Sequence, residues 1–251
     1  MIQVDAFWIV LFTVLGLTFG SFGTVIIARV PAGKHVGGRS RCARCGHVLG
    51  AVEIIPLLSY LTLRGKCRHC GHAISAWYPL VEIASALLFV LALHSAPSFP
   101  AAMLLAFSLW VLLLIAVIDA RTRTIHDALN LAFMAFAIAY ALMIGQLHYA
   151  GALLFVLFFG AQWLVSRGRW VGSGDILLGA GIGFLLGDIG TALLCIGITY
   201  ILGALAAIVL LLTKKVTRKS HIPLGPFLAL STFLVLLFLD WMASFAIRGT
   251  L

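Results

Sequence analysis

Eight carboxylates occur in 251 residues, and two of them stand where an acid is costly. Asp119 ends an apolar run in LLLIAVIDARTRTIHD (112–127), and Asp175 opens another in VGSGDILLG (171–179). Ionisable groups in membrane-length apolar segments are read first as functional. Two carboxylates in one partly dehydrated site cannot both ionise easily, so they share a proton. That state suits aspartic peptide hydrolysis: the ionised partner takes a proton from water and the protonated one polarises the scissile carbonyl. Plainer readings stand beside this one. Asp119 can pair with Arg121 or Arg123 at a helix end, and Asp175 can be a first-turn acid favoured by the helix dipole.

A second constellation is CARC (42–45) with CRHC (67–70), spaced C-x2-C-x21-C-x2-C. Two knuckles, each followed by Gly-His, suit a closed four-thiolate zinc site of Cys42, Cys45, Cys67 and Cys70. The glycines allow the tight turn after each second ligand. Neighbouring Arg and Lys favour thiolates. A closed site is structural, since hydrolysis needs an open coordination position. The alternative is four free thiols in a loose loop. Cys195 lies in an apolar run and reads as a small buried residue.

The remaining acids sort by position. Asp127 fits an N-cap or first-turn role. Asp5, Asp188 and Asp240 fall at the far boundary of apolar runs, where they are solvated or interfacial. Glu53 lies in AVEIIPLLSYLTLRGKC (51–67) and Glu82 in YPLVEIASALL (78–88). Each is either a cation- or substrate-binding group or an ordinary helix-start acid.

The elements that must position these residues are helices. The chain is 63% hydrophobic and 10% charged, with a mean hydropathy of +1.14; that is too apolar for a soluble domain. Runs of bilayer length, about 17 to 25 residues, fall near 6–29, 78–94, 100–118, 129–145, 150–166, 173–187, 190–212 and 225–246. The fold expected is an all-α polytopic membrane protein with eight transmembrane helices. The first run lacks a basic leader and a clear cleavage site, so it is expected to be a retained helix. All Lys and Arg except Arg248 lie in alternate loops, which places those loops in the cytoplasm and both termini outside. The net charge of +9 is thereby explained by topology and anionic lipid, and nothing argues for nucleic acid. Asp119 and Asp175 both fall at the cytoplasmic boundary. They meet only if their helices pack together, and Gly172, Gly174, Gly179 and Gly183 provide small-residue spacings for such close approach. GAGIGFLLG (179–187) has no preceding strand and reads as packing rather than a nucleotide loop.

Five blocks in order resemble the prepilin leader peptidases of type IV pili and type II secretion, the GxGD intramembrane aspartic proteases. FGSFGTVIIARVP (19–31) resembles their first-helix signature, and residues 41–82 resemble their cytoplasmic zinc loop. Ile118-Asp119 and GSGD (172–175) match the two catalytic aspartates, and HIPLGPFLAL (221–230) resembles the start of their last helix. The resemblance implies an inner-membrane enzyme that cuts the leader from pilin or pseudopilin precursors on the cytoplasmic side, after a glycine. It also implies N-methylation of the new N-terminus by S-adenosylmethionine, with Glu53 and Glu82 as candidates for that half. Two departures stand out: Leu177 where the family commonly has Lys, and His126-Asp127 where it has Pro-Asp.

Three regions are therefore expected: a first transmembrane helix (1–30), a cytoplasmic four-cysteine zinc loop (31–77) and a seven-helix domain with the aspartate pair (78–251). Rival readings are a peptidase that does not methylate, a transporter that uses its acids for ions, and a non-catalytic scaffold with a partner-binding zinc loop. Against transport, the acids sit at one boundary and no inverted repeat is evident.

Overall fold

The computed structural model describes residues 4–217 and 220–248. Arg218 and Lys219 of the last basic loop, and the side chains of Asp240 and Arg248, lie outside the described residues.

The chain is all-α. The helices are α1 (Ala6–Arg29), α2 (Leu58–Thr62), α3 (Trp77–Ser95), α4 (Phe99–Thr122), α5 (Asp127–Met143), α6 (Ala150–Ser166), α7 (Ser173–Leu186), α8 (Ile189–Leu212) and α9 (Gly225–Arg248). Each apolar run has become one helix. By length and composition α1, α3, α4 and α8 can cross a membrane, while α5, α6, α7 and the described part of α9 are shorter apolar helices. The long loop after α1 carries a 3-10 turn (Ala51–Ile54) and α2. Among the described residues, extended pairing is limited to the bridges Arg41–Val48 and Lys66–Ala73, one in each knuckle.

Local signals set the ends. Ser98 precedes α4 and its Oγ accepts the Ala101 N–H, with Pro100 just inside the helix, the arrangement that satisfies an orphan donor. Arg123 takes the left-handed conformation that ends α4. Asp188 caps α8, its Oδ1 accepting from Gly190 and Thr191 at 2.7 and 3.0 Å.

α4 is the hub, packing against α3, α5 and α9; Leu109, Leu112 and Leu114 on it are fully buried. α1 and α3 cross where side chains are absent: a Cβ on Gly16 would sit 2.5 Å from the Ala86 Cα, and one on Gly20 2.6 Å from the Glu82 Cα. The glycines of α7 do the same work for a different partner than expected. A Cβ on Gly183 would lie 2.4 Å from the Ala152 backbone, and one on Gly179 2.9 Å from Phe155, both on α6. The close glycine face of α7 is thus turned to α6 and not to α4. Between α4 and α7 there is little direct contact; α5 and α9 each pack against both.

Candidate active site

The C-terminal end of α4 and the first turn of α7 carry the two acids. Asp119 is 5% exposed. Its Oδ2 accepts the backbone N–H of Gly225 at 2.9 Å. Gly225 is the first residue of α9, where the N–H groups have no partner within the helix. A Cβ there would stand 2.8 Å from Asp119 Oδ2, so only glycine lets the backbone come this close. Asp175 sits at the third position of α7, and its Oδ2 accepts the Gly172 N–H at 2.9 Å in a capping-box arrangement. The Asp119 carboxylate lies within electrostatic range of Asp175. Among the described residues neither forms a salt bridge, so the pairing of Asp119 with Arg121 or Arg123 is absent. The capping reading of Asp175 is present, and it coexists with proximity to Asp119.

The pair therefore meets through intermediaries. α5 and α9 hold the ends of α4 and α7 in register. Gly225 was not picked out in the sequence, although Gly-Pro at a helix start is a readable signal; its partner, 106 positions away, was not readable. Asp127 opens α5 as a first-turn acid. His126 precedes it, with its Nε2 buried and without a partner. Leu177 leaves no cation on α7 beside the pair.

The four knuckle cysteines place their sulfurs within 4.8 Å of one another, and the Cys42 and Cys70 sulfurs are 3.8 Å apart. Tetrahedral zinc with bonds of about 2.3 Å sets sulfurs at about 3.8 Å, so the residues fit such an ion. The knuckles repeat: Cys42 N–H bonds the His47 carbonyl at 2.9 Å and Cys67 N–H that of His72 at 2.8 Å. Gly46 and Gly71 follow the second cysteines at φ 70° and 68°, the left-handed region glycine favours. The N–H groups of Cys45 and Arg44 hold the Cys42 thiol down to about 6. At Cys45 the His47 N–H lowers the value, but desolvation and the sulfurs of Cys42 and Cys70 push it up to about 11. A divalent metal would take the four sulfurs as thiolate ligands.

Glu53 and Glu82 line one cavity of about 420 Å³ between α1, α3 and the cysteine loop, together with Arg29, Arg41, Tyr60 and Tyr78. Its size falls in the range of small-molecule sites, roughly 300–1,000 Å³. Glu53 Oε2 accepts the Gly50 N–H at 2.8 Å. Glu82 is buried and accepts the Leu57 N–H at 2.8 Å. Leu57 is held at φ 60° and ψ −47°, in a tight turn closed by the Leu58 N–H on the Pro56 carbonyl at 2.6 Å; this is the rare, strained form of γ-turn.

Comparison with known proteins agrees with this layout. The bacterial peptidase A24 N-terminal domain matches residues 14–96, and the type IV leader peptidase family matches residues 106–212. A prepilin leader peptidase/N-methyltransferase of Bacillus subtilis (strain 168) is 33% identical over 248 residues, covering 95% of this chain and 97% of the relative. One from Pseudomonas putida is 32% identical over 267 residues, covering 94% and 92%. One from Aeromonas salmonicida (strain A449) is 34% identical over 213 residues, covering 80% and 72%. No solved structure matches the chain. With both halves matched in order and relatives aligned over nearly their full length, the chain belongs to the type IV leader peptidase family.

Proposed function

We propose that this chain removes the leader of type IV pilin-like precursors on the cytoplasmic side of a bacterial inner membrane, with Asp119 and Asp175 as its catalytic pair, and then N-methylates the new N-terminus. One observation carries the peptidase reading: two acids from distant helix ends are each held by a single backbone N–H, and the charge of Asp119 reaches Asp175. In that arrangement one carboxylate is ionised and takes a proton from water as the water attacks the scissile carbonyl. The other, protonated, donates to the carbonyl oxygen. Collapse of the tetrahedral intermediate returns a proton to the leaving amine.

The membrane reading counts all eight apolar helices as spanning, with the long α4 and the shorter α7 carrying the acids at their cytoplasmic ends. The regions are then a first helix to residue 30, a cytoplasmic loop over 31–77 and the helices from 78 onward. Zinc at Cys42, Cys45, Cys67 and Cys70 would fold the loop and take no part in the cut. S-adenosylmethionine would supply the methyl group when bound in the cavity of Glu53 and Glu82. The two carboxylates suit a sulfonium cation, the arginines a carboxylate and the tyrosines a flat base.

The test is cleavage of a prepilin in membranes by the wild type, Asp119→Asn and Asp175→Asn, with the mass of the product's N-terminus measured. Leader loss by the wild type alone, plus one methyl, is the expected result. Cleavage that survives both substitutions removes the pair from the mechanism.

A further inference from the structure

Asn130 lies one turn into α5, the helix that packs against both α4 and α7. It is fully buried. Its Nδ2 donates to the Gly174 carbonyl at 2.9 Å. Gly174 stands between the two residues of the capping box, Gly172 and Asp175. The approach is tight: a Cβ on Gly174 would come 3.0 Å from the Ile125 Cβ and 3.8 Å from Asn130 Nδ2.

This bond is not needed to satisfy α7. Gly174 is already inside the helix, where its carbonyl serves the ordinary i to i+4 bond. Asn130 Oδ1, meanwhile, is buried with no hydrogen-bond partner. A buried acceptor left unpaired is destabilising, so an apolar side chain would be less costly here. A half-satisfied amide at the turn that carries an active-site acid contributes geometry rather than stability.

We propose that Asn130 is a positioning residue of the peptidase site: by gripping the Gly174 peptide from α5, it sets the direction in which the Asp175 carboxylate faces Asp119. It acts through Asp175 and touches neither water nor substrate. The inference rests on the reading of Asp119 and Asp175 as the catalytic pair.

The experiment uses the full chain in bilayers with a prepilin substrate. It compares the wild type, Asn130→Leu, Asn130→Ala and Asp175→Asn for kcat, KM, thermal midpoint and methylation of a leader-free pilin peptide. The expected result for Asn130→Leu is a kcat lower by roughly 10–100-fold, the size of effect a small misplacement produces. KM, methylation and thermal midpoint should stay near wild type. A kcat within threefold of wild type overturns the proposal. So does a kcat loss that tracks a lowered thermal midpoint and lost methylation in both Leu and Ala variants, since that is unfolding. Wild-type cleavage by Asp175→Asn is a separate failure, of the catalytic pair itself.

Discussion

The Gly225 N–H lies 2.9 Å from Asp119 Oδ2, so the start of α9 is fastened to the end of α4 by a buried carboxylate, the one proposed for catalysis. The bond is buried, and it gives Asp119 a fixed direction without a neighbouring cation. Helix N-termini favour negative charge in this way.

Gly225→Ala should therefore misplace Asp119. Its Cβ would sit 2.8 Å from Oδ2, inside van der Waals contact, and the carboxylate must turn away. Helical propensity favours alanine over glycine, so the fold should persist. Cleavage is expected to fall about 100-fold at an unchanged thermal midpoint. Single-turnover cleavage beside a melting curve checks this, and wild-type cleavage by the variant would show that the contact has no part in catalysis.

Much of this arrangement was legible in the sequence because long apolar runs alternate with polar loops. All eight runs are helices, and the knuckle glycines occupy the conformations their spacing implied. What was not legible is which helix meets which. Gly179 and Gly183 mark a close contact, but a small-residue stripe does not name its partner, and it is α6. The acids come together through α5 and α9, so neither Asn130 nor Gly225 could be found from Asp119 and Asp175. Glu53 and Glu82, separated in the chain by α2 and the second knuckle, share a cavity only because the loop folds back on α1.

Glu82 does two things in that cavity, and substitutions should separate them. Its Oε2 holds the Leu57 N–H and so pins a strained turn between Ile54 and Ser59, which line the cavity. Glu82→Gln keeps an acceptor and loses the charge. It should raise the KM for S-adenosylmethionine about tenfold or more, the scale of a charged hydrogen bond, while the loop stays folded. Glu82→Ala should also loosen residues 55–63 to proteases. Cleavage by both should stay near wild type, since Glu82 is on α3 while Asp119 and Asp175 are on α4 and α7. Methylation unaffected in both would remove Glu82 from that half of the reaction.

Asp188 supplies a pH-dependent element. The Thr191 hydroxyl, first, and the Thr191 and Gly190 N–H groups hold its carboxyl below the usual carboxylate range. A folded value below the unfolded one, about 3.9, means that the ionised cap stabilises α8 at neutral pH. That contribution is lost as pH falls through the lower folded value. Asp188→Ala should cost about 1 kcal/mol at pH 7, and the gap to wild type should close in acid. Thermal melts of both proteins from pH 7 to pH 3 measure it; a gap independent of pH would mean the charge is not what caps the helix.

Removing the metal should unfold the loop and leave the helices. The loop between α1 and α3 buries few apolar side chains, too few to offset the entropy of ordering a chain of that length. Its two knuckles face each other through the four sulfurs, where a shared ion would tie them together. Metal analysis of the purified protein should give one zinc per chain, and Cys42→Ser with Cys67→Ser should give none. Chelation should open the segment from Gly37 to Ser75 to proteolysis while the helical circular dichroism of the membrane helices persists. Methylation should be lost with the metal, because the cavity wall is built from the same loop. Cleavage should decline less, since Asp119, Asp175 and Gly225 are held by α4, α7 and α9. A loop that stays protease-resistant without metal would show that the knuckles hold by packing alone.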